Sequence, residues 1–268
     1  MPVVVGVRFR EGCKIYSFDA TGFEDLASGD YVVVETVQGR NIGKVVIPPR
    51  EISGEEIETP LKGIIRRATP WDLVRMDFYR RKGEEALARA RELAREMGLG
   101  IKLVRAEYNF EGTKLNFYYT SEEKLNLKEF AQRLEDELEA KVEFVQIGVR
   151  DEAKFMGGIG PCGRILCCAS FLTEFASISV KMAKVQDLPI NPTAISGLCN
   201  RLLCCLRYEF DVYREFKERL PKVGQKIKTP HGEGKITAIN VVKETVTVRL
   251  EDESTVEIPA SQVEFSKG

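Results

Sequence analysis

At 268 residues, with 40 Lys and Arg against 41 Asp and Glu, the chain has a formal net charge of −1 and no basic excess with which to hold nucleic acid or an anionic membrane by charge alone. Charged residues at 30% and apolar residues at 43% exclude a disordered chain and describe a folded, water-facing protein. The longest uncharged stretch, 188–200, contains two prolines and falls short of the roughly 20 apolar residues a membrane helix needs, and the apolar run at 2–7 is too short for an export signal. The expected location is therefore cytoplasmic, with no stable membrane insertion.

The chain opens with β-rich runs at 3–9, 15–18, 31–36 and 42–47, punctuated by Gly12, Gly22, Gly29-Asp30 and Gly39. This spacing predicts a small barrel-like β domain over 1–68, closed by Pro48-Pro49, with a last short strand at 64–65. From Thr69 the character changes. Thr69 is a candidate N-cap and Pro70 suits the first helical turn. Apolar residues from Val74 to Met97 then recur at helical spacing until Gly98. Strands are predicted at 101–110 and 114–120 about a turn at Glu111-Gly112. A helix opening at Ser121 or Asn126 and a strand at 142–149 follow. Over 69–150 this is an α-β-β-α-β layer with both helices on one sheet face, in which Trp71 and Phe78 are expected in the core. The basic residues Arg80, Arg81, Lys82, Arg89, Arg91 and Arg95 interleave with glutamates. They read as a salt-bridged solvated face, with RNA contact as the lesser reading.

The segment 151–220 holds six of the seven cysteines and a predicted helix over 207–220, ended by Pro221. Over 221–268 four short strands, at 225–229, 234–240, 245–250 and 254–258, predict an SH3-like barrel. His231, the single histidine, lies in a turn there and is expected to be exposed; with no partner Ser or Asp motif it supports no catalytic triad. The fold class is thus α+β and multidomain. No paired-carboxylate, nucleophile-elbow or phosphate-loop pattern appears, so enzymatic activity is not expected.

The informative feature is an internal repeat. Gly160-Pro161-Cys162-Gly163-Arg164-Ile165-Leu166-Cys167-Cys168 recurs 37 residues later as Gly197-Leu198-Cys199-Asn200-Arg201-Leu202-Leu203-Cys204-Cys205, with six of nine positions identical. On one continuous helix the three thiols of a copy would not share a face, so the first cysteine of each is expected on a loop and the vicinal pair near a helix start. A helix N-terminus favours thiolate, the form that binds metal. In a reducing compartment six clustered cysteines point away from disulfides. The spread of the thiols suits an iron–sulfur cluster, while structural zinc and redox-active thiols stay open as alternatives.

The doubled motif, in GGIGPCGRILCC and SGLCNRLLCC with VKMAKVQDLPINP between, resembles the YaaT/RicT family of bacterial proteins. YYTSEEKLNLKEFAQRL, VQIGVRDEAK and VGQKIKTPHGEGKI extend the resemblance over nearly the whole chain. It implies a non-enzymatic regulator in complex with small helical partners of the YlbF and YmcA types. That complex is tied to RNA processing by RNase Y and, through the Spo0A phosphorelay, to sporulation, competence and biofilm formation. It further implies iron–sulfur ligation, 4Fe-4S in type, by Cys162, Cys167, Cys168, Cys199, Cys204 and Cys205; Cys13 stands outside the motif. The competing expectation is a zinc-stabilised nucleic-acid-binding protein that uses its C-terminal barrel.

Overall fold

The computed structural model describes residues 2–10, 12–37, 39–52, 61–123 and 125–263. The chain forms two compact units, one of residues 1–175 with 198–200 and the other of 176–197 with 201–268.

The first unit begins with β1 (Val3–Arg8), β2 (Tyr16–Asp19), β3 (Tyr31–Thr36), β4 (Gly39–Glu51) and β5 (Ile64–Arg67). They make one five-stranded antiparallel sheet in the order β2-β1-β4-β3-β5. Alternate valines, among them Val5, Val7, Val32, Val34 and Val45, are buried on its inner face with Phe18 and Leu26. The sheet curls until its edges meet at a single parallel bridge, Asp19 to Gly63, instead of closing through a full ladder. Pro48-Pro49 does not end β4, which runs on to Glu51. The prolines lack the N–H a ladder needs, and they fall where the register to β1 shifts between Val4 and Gly6.

Helix α1 (Pro70–Glu96) starts as expected. Thr69 and Asp72 form a reciprocal capping box with Pro70 in the first turn. The Asp72 carboxylate also takes both guanidinium nitrogens of Arg66, at 2.5 and 3.0 Å, which ties the helix start to β5. Strands β6 (Lys102–Tyr108), β7 (Lys114–Thr120) and β8 (Lys141–Gln146) pair in that order, β6–β7 antiparallel and β7–β8 parallel. Leu115, Phe117 and Tyr119 alternate toward α1 and α2 (Lys128–Leu138). There they bury with Ala86, Ala90, Leu93, Phe130 and Leu134, so both helices lie on one face. A Cβ on Gly83 would stand 2.7 Å from the carbonyl oxygen of Ala106, so glycine lets α1 approach β6. Helix α2 starts later than either expected opening, after Leu127, with no side-chain cap.

Trp71 and Phe78 are not core residues: they are 75% and 59% exposed. The reason is length. A 27-residue helix spans about 40 Å, whereas seven-residue strands span about 23 Å, so the first turns of α1 outrun the sheet they pack on.

The strand expected to 149 stops at Gln146, because Gly148 caps α3 (Val149–Met156). Short α4 (Cys167–Ser170) follows.

The second unit contains α5 (Val180–Val185), α6 (Pro192–Ile195) and α7 (Cys204–Arg219). Its last strands are β9 (Lys226–Thr229), β10 (Gly232–Asn240), β11 (Thr245–Leu250) and β12 (Thr255–Pro259). They form an antiparallel meander, β12-β11-β10-β9, over Ile227, Ile236, Val246, Val248 and Ile258. Among the described residues no ladder closes β9 onto β12. His231 lies exposed in the β9–β10 turn.

Candidate functional site

The two copies of the cysteine motif fold alike. In the first, Ile159 pairs with Ile165 in an isolated antiparallel bridge, and the Gly160 N–H donates to the Arg164 carbonyl at 2.8 Å. In the second, Ser196 pairs with Leu202, and the Gly197 N–H donates to the Arg201 carbonyl at 2.9 Å. The hairpin then hands over to a helix in the same way. Leu166 donates to the Gly158 carbonyl and Leu203 to the Ile195 carbonyl, both leucines are extended N-caps, and helix begins at Cys167 and at Cys204. Every one of these pairs keeps the 37-residue offset of the sequence repeat.

The geometry places the thiols as the spacing predicts. Cys162 and Cys199 ride the turn of each hairpin, and Cys167-Cys168 and Cys204-Cys205 are the first two residues of α4 and α7. Helix α7 thus begins three residues before its expected start. Neither helix start has a side-chain cap hydrogen bond. All seven cysteines are thiols; Cys162 is exposed, Cys168 buried and the rest half-buried.

The copies differ in what lies behind them. At equivalent positions stand Ala169 and Leu206. Leu206 is fully buried with Ala183 and Ile195 in a small core of the second unit, and its carbonyl accepts from the buried Gln186 amide at 2.6 Å. Ala169 instead meets the β1–β2 loop. A Cβ on Gly12, which has φ +70°, would lie 2.2 Å from the Ala169 carbonyl oxygen. The same loop reaches further into the unit. Lys14 pairs with Glu174 at 2.8 Å, and Arg10 pairs with Glu107 at 3.0 Å while lying over the rings of Tyr118 and Phe155. So the N-terminal sheet steadies the first motif, and Cys13, which follows Gly12, enters that neighbourhood. Nothing in the local sequence signals this approach, since the two segments are more than 150 residues apart.

Within the first unit, a Cβ on Gly158 would stand 3.4 Å from Leu198 Cδ1, so the turn bearing Cys199 rests beside the lead-in to the first motif. Cys162, Cys167, Cys168 and Cys199 belong to this unit, Cys204 and Cys205 to the other. Among the described residues no three His, Cys, Asp or Glu side chains gather as a ready-made metal site.

The basic residues of α1 are engaged as a salt-bridged face. Arg80 and Arg81 share Asp77, Arg89 meets Glu92 and Glu137, and Arg91 donates to the Leu103 carbonyl. Among the described residues no helix is long and apolar enough to cross a membrane.

The chain carries PSP1-type segments: residues 62–147, which hold the sheet with two helices on one face, match the PSP1 C-terminal conserved region, and residues 177–220, which hold the second cysteine hairpin, match the third domain of PSP1-like proteins. The stage 0 sporulation protein YaaT of Bacillus subtilis (strain 168) is 42% identical over 247 residues, which cover 92% of this chain and 90% of that protein. The chain belongs to the YaaT family. No solved structure matches it.

Proposed function

We propose that this chain is a non-enzymatic cytoplasmic regulator of sporulation-type development. In this reading it works as an adaptor in a complex with helical partners of the YlbF and YmcA types and modulates RNA processing by RNase Y. Competence, biofilm formation and the Spo0A phosphorelay are the wider processes it would serve, and any RNA contact would be indirect. The name of the Bacillus subtilis relative supports the developmental role.

The observation that carries the proposal is the duplicated hairpin-to-helix turn, which presents one turn thiol and two helix-start thiols twice over. Six soft donors, four at two uncapped helix starts and two on the turns that lead into them, suit iron–sulfur ligation in chemical type, 4Fe-4S included. Cys162, Cys167, Cys168, Cys199, Cys204 and Cys205 would hold it. With no three donors pre-gathered among the described residues, the ligand set would be drawn together on binding or completed by another chain. When bound, the cluster would order the surface around the motifs; the chain's own hairpins supply the thiols and their spacing.

Anaerobic purification with iron and sulfide quantitation, for this chain alone and with its partners, tests the proposal. Iron and sulfide should appear in the wild-type complex and fall in Cys167→Ser and Cys204→Ser proteins, whose circular dichroism stays native. Stoichiometric zinc without iron would replace this reading with a zinc-stabilised nucleic-acid-binding protein. Cys204→Ser protein that still assembled and supported normal RNA processing would remove the cysteines from the function.

A further inference from the structure

The projecting start of α1 leaves an apolar stripe uncovered. Trp71, Val74 and Phe78 are 75%, 59% and 59% exposed and stand at i, i+3 and i+7, the spacing of a helix–helix seam. The charge left unpaired around it is positive. Of the six basic residues from 66 to 82, Arg66 pairs with Asp72, Arg67 with Asp25 and Asp30, and Arg80 and Arg81 share Asp77, which leaves Arg75 and Lys82 outside any ion pair among the described residues. Arg75 donates to the Glu111 backbone carbonyl and lies over the rings of Tyr79 and Phe110, and Lys82 lies over Tyr108. These partners are neutral, so they position the cations without cancelling them.

We infer that the Trp71–Val74–Phe78 face of α1 docks an acidic amphipathic helix of a partner protein. An exposed Trp with Arg beside it is the composition of an interface anchor, and buried rings in the seam would supply most of the affinity. The basic frame selects a partner with Asp or Glu flanking its apolar stripe. It also disfavours a second copy of this chain, because pairing α1 with α1 would set like charges together. The helical spacing, with aliphatic Val74 between the two aromatics, fits a side-chain seam better than the stacked bases of single-stranded RNA. The inference uses none of the cysteines and stands apart from the cluster proposal.

Trp71 is the single tryptophan of the chain and reports on its own environment. The full-length protein is titrated with a three-heptad peptide carrying Leu at a and d and Glu elsewhere, while Trp71 emission is followed. A saturable blue shift is expected. Arg75→Glu/Lys82→Glu protein should bind about tenfold more weakly, the worth of two charge pairs at a half-exposed seam. Val74→Ser/Phe78→Ser protein, altered only at exposed positions, should give no shift while melting like the wild type. Cys167→Ser protein should respond as the wild type does, which separates this surface from the cluster. No shift with the Glu peptide, an equal shift with its Lys counterpart, a shift produced by oligouridylate in its place, or one that grows with protein concentration alone would each overturn the inference.

Discussion

Gly163 and Asn200 occupy the same left-handed backbone position in the two cysteine hairpins, at φ +76° and +56°. Each follows the turn cysteine and lets the chain swing back so that the next residue, Arg164 or Arg201, returns its carbonyl to the glycine that opened the turn. Left-handed φ is open to Gly and tolerated by Asn, whose short polar side chain suits it; a β-branched residue there clashes. The two turns therefore share one backbone requirement met by two residue types.

Asn200→Gly and Gly163→Asn should leave stability within a few tenths of a kcal/mol, whereas Gly163→Val and Asn200→Val should each cost about 1–2 kcal/mol. Urea unfolding of the four proteins checks this. Equal midpoints for the Val and Asn variants would show that the turn does not need left-handed φ.

The link between Asp72 and Arg66 makes one part of the fold acid-sensitive. The Arg66 guanidinium first, and then the Thr69 N–H and hydroxyl, hold the Asp72 carboxyl well below the ordinary carboxylate range against its partial burial. A lowered folded-state value means the stabilisation is complete above the unfolded carboxyl's pKa, about 4, and is lost as pH falls below it toward the folded value. Asp72→Asn should therefore be about 1–2 kcal/mol less stable near neutrality, where the N-cap bond and ion pair are both weakened. That difference should shrink as the pH is lowered. A gap between wild type and variant that stayed constant down to strong acid would assign the loss to packing instead of charge.

At Gly12 the backbone approach to Ala169 leaves no room for a side chain, and φ is already left-handed. Gly12→Ala should cost at least about 1–2 kcal/mol and should raise amide exchange across α4 more than across α7, whose support lies in its own small core. Equal effects on both helices would show that the β1–β2 loop does not steady the first motif.

If a cluster is bound, its removal should act locally. Chelation or oxidation should raise amide exchange over about 155–207 while the three sheets keep their protection, because metal binding couples to folding only where a segment lacks its own core. Uniform protection with and without metal would make the hairpins self-sufficient.

Much of this protein was legible from sequence because its signals are local. Thr69 with Pro70 marked the start of α1, alternation marked the strands, and the repeat announced that the two cysteine segments would fold alike, with the lone thiol on a turn and the pair at a helix start. Those features depend on backbone dihedrals and hydrogen bonds among near neighbours, and residue type governs them directly. Tertiary structure decided the rest. It carried β4 through two prolines by shifting its register against β1. It left Trp71 and Phe78 outside a core that ends before their helix does. It also brought Gly12 onto Ala169, so that two matching motifs rest on different supports. Each of these outcomes depends on where distant segments meet and how far each element extends. Neither periodicity nor spacing along the chain carries that information.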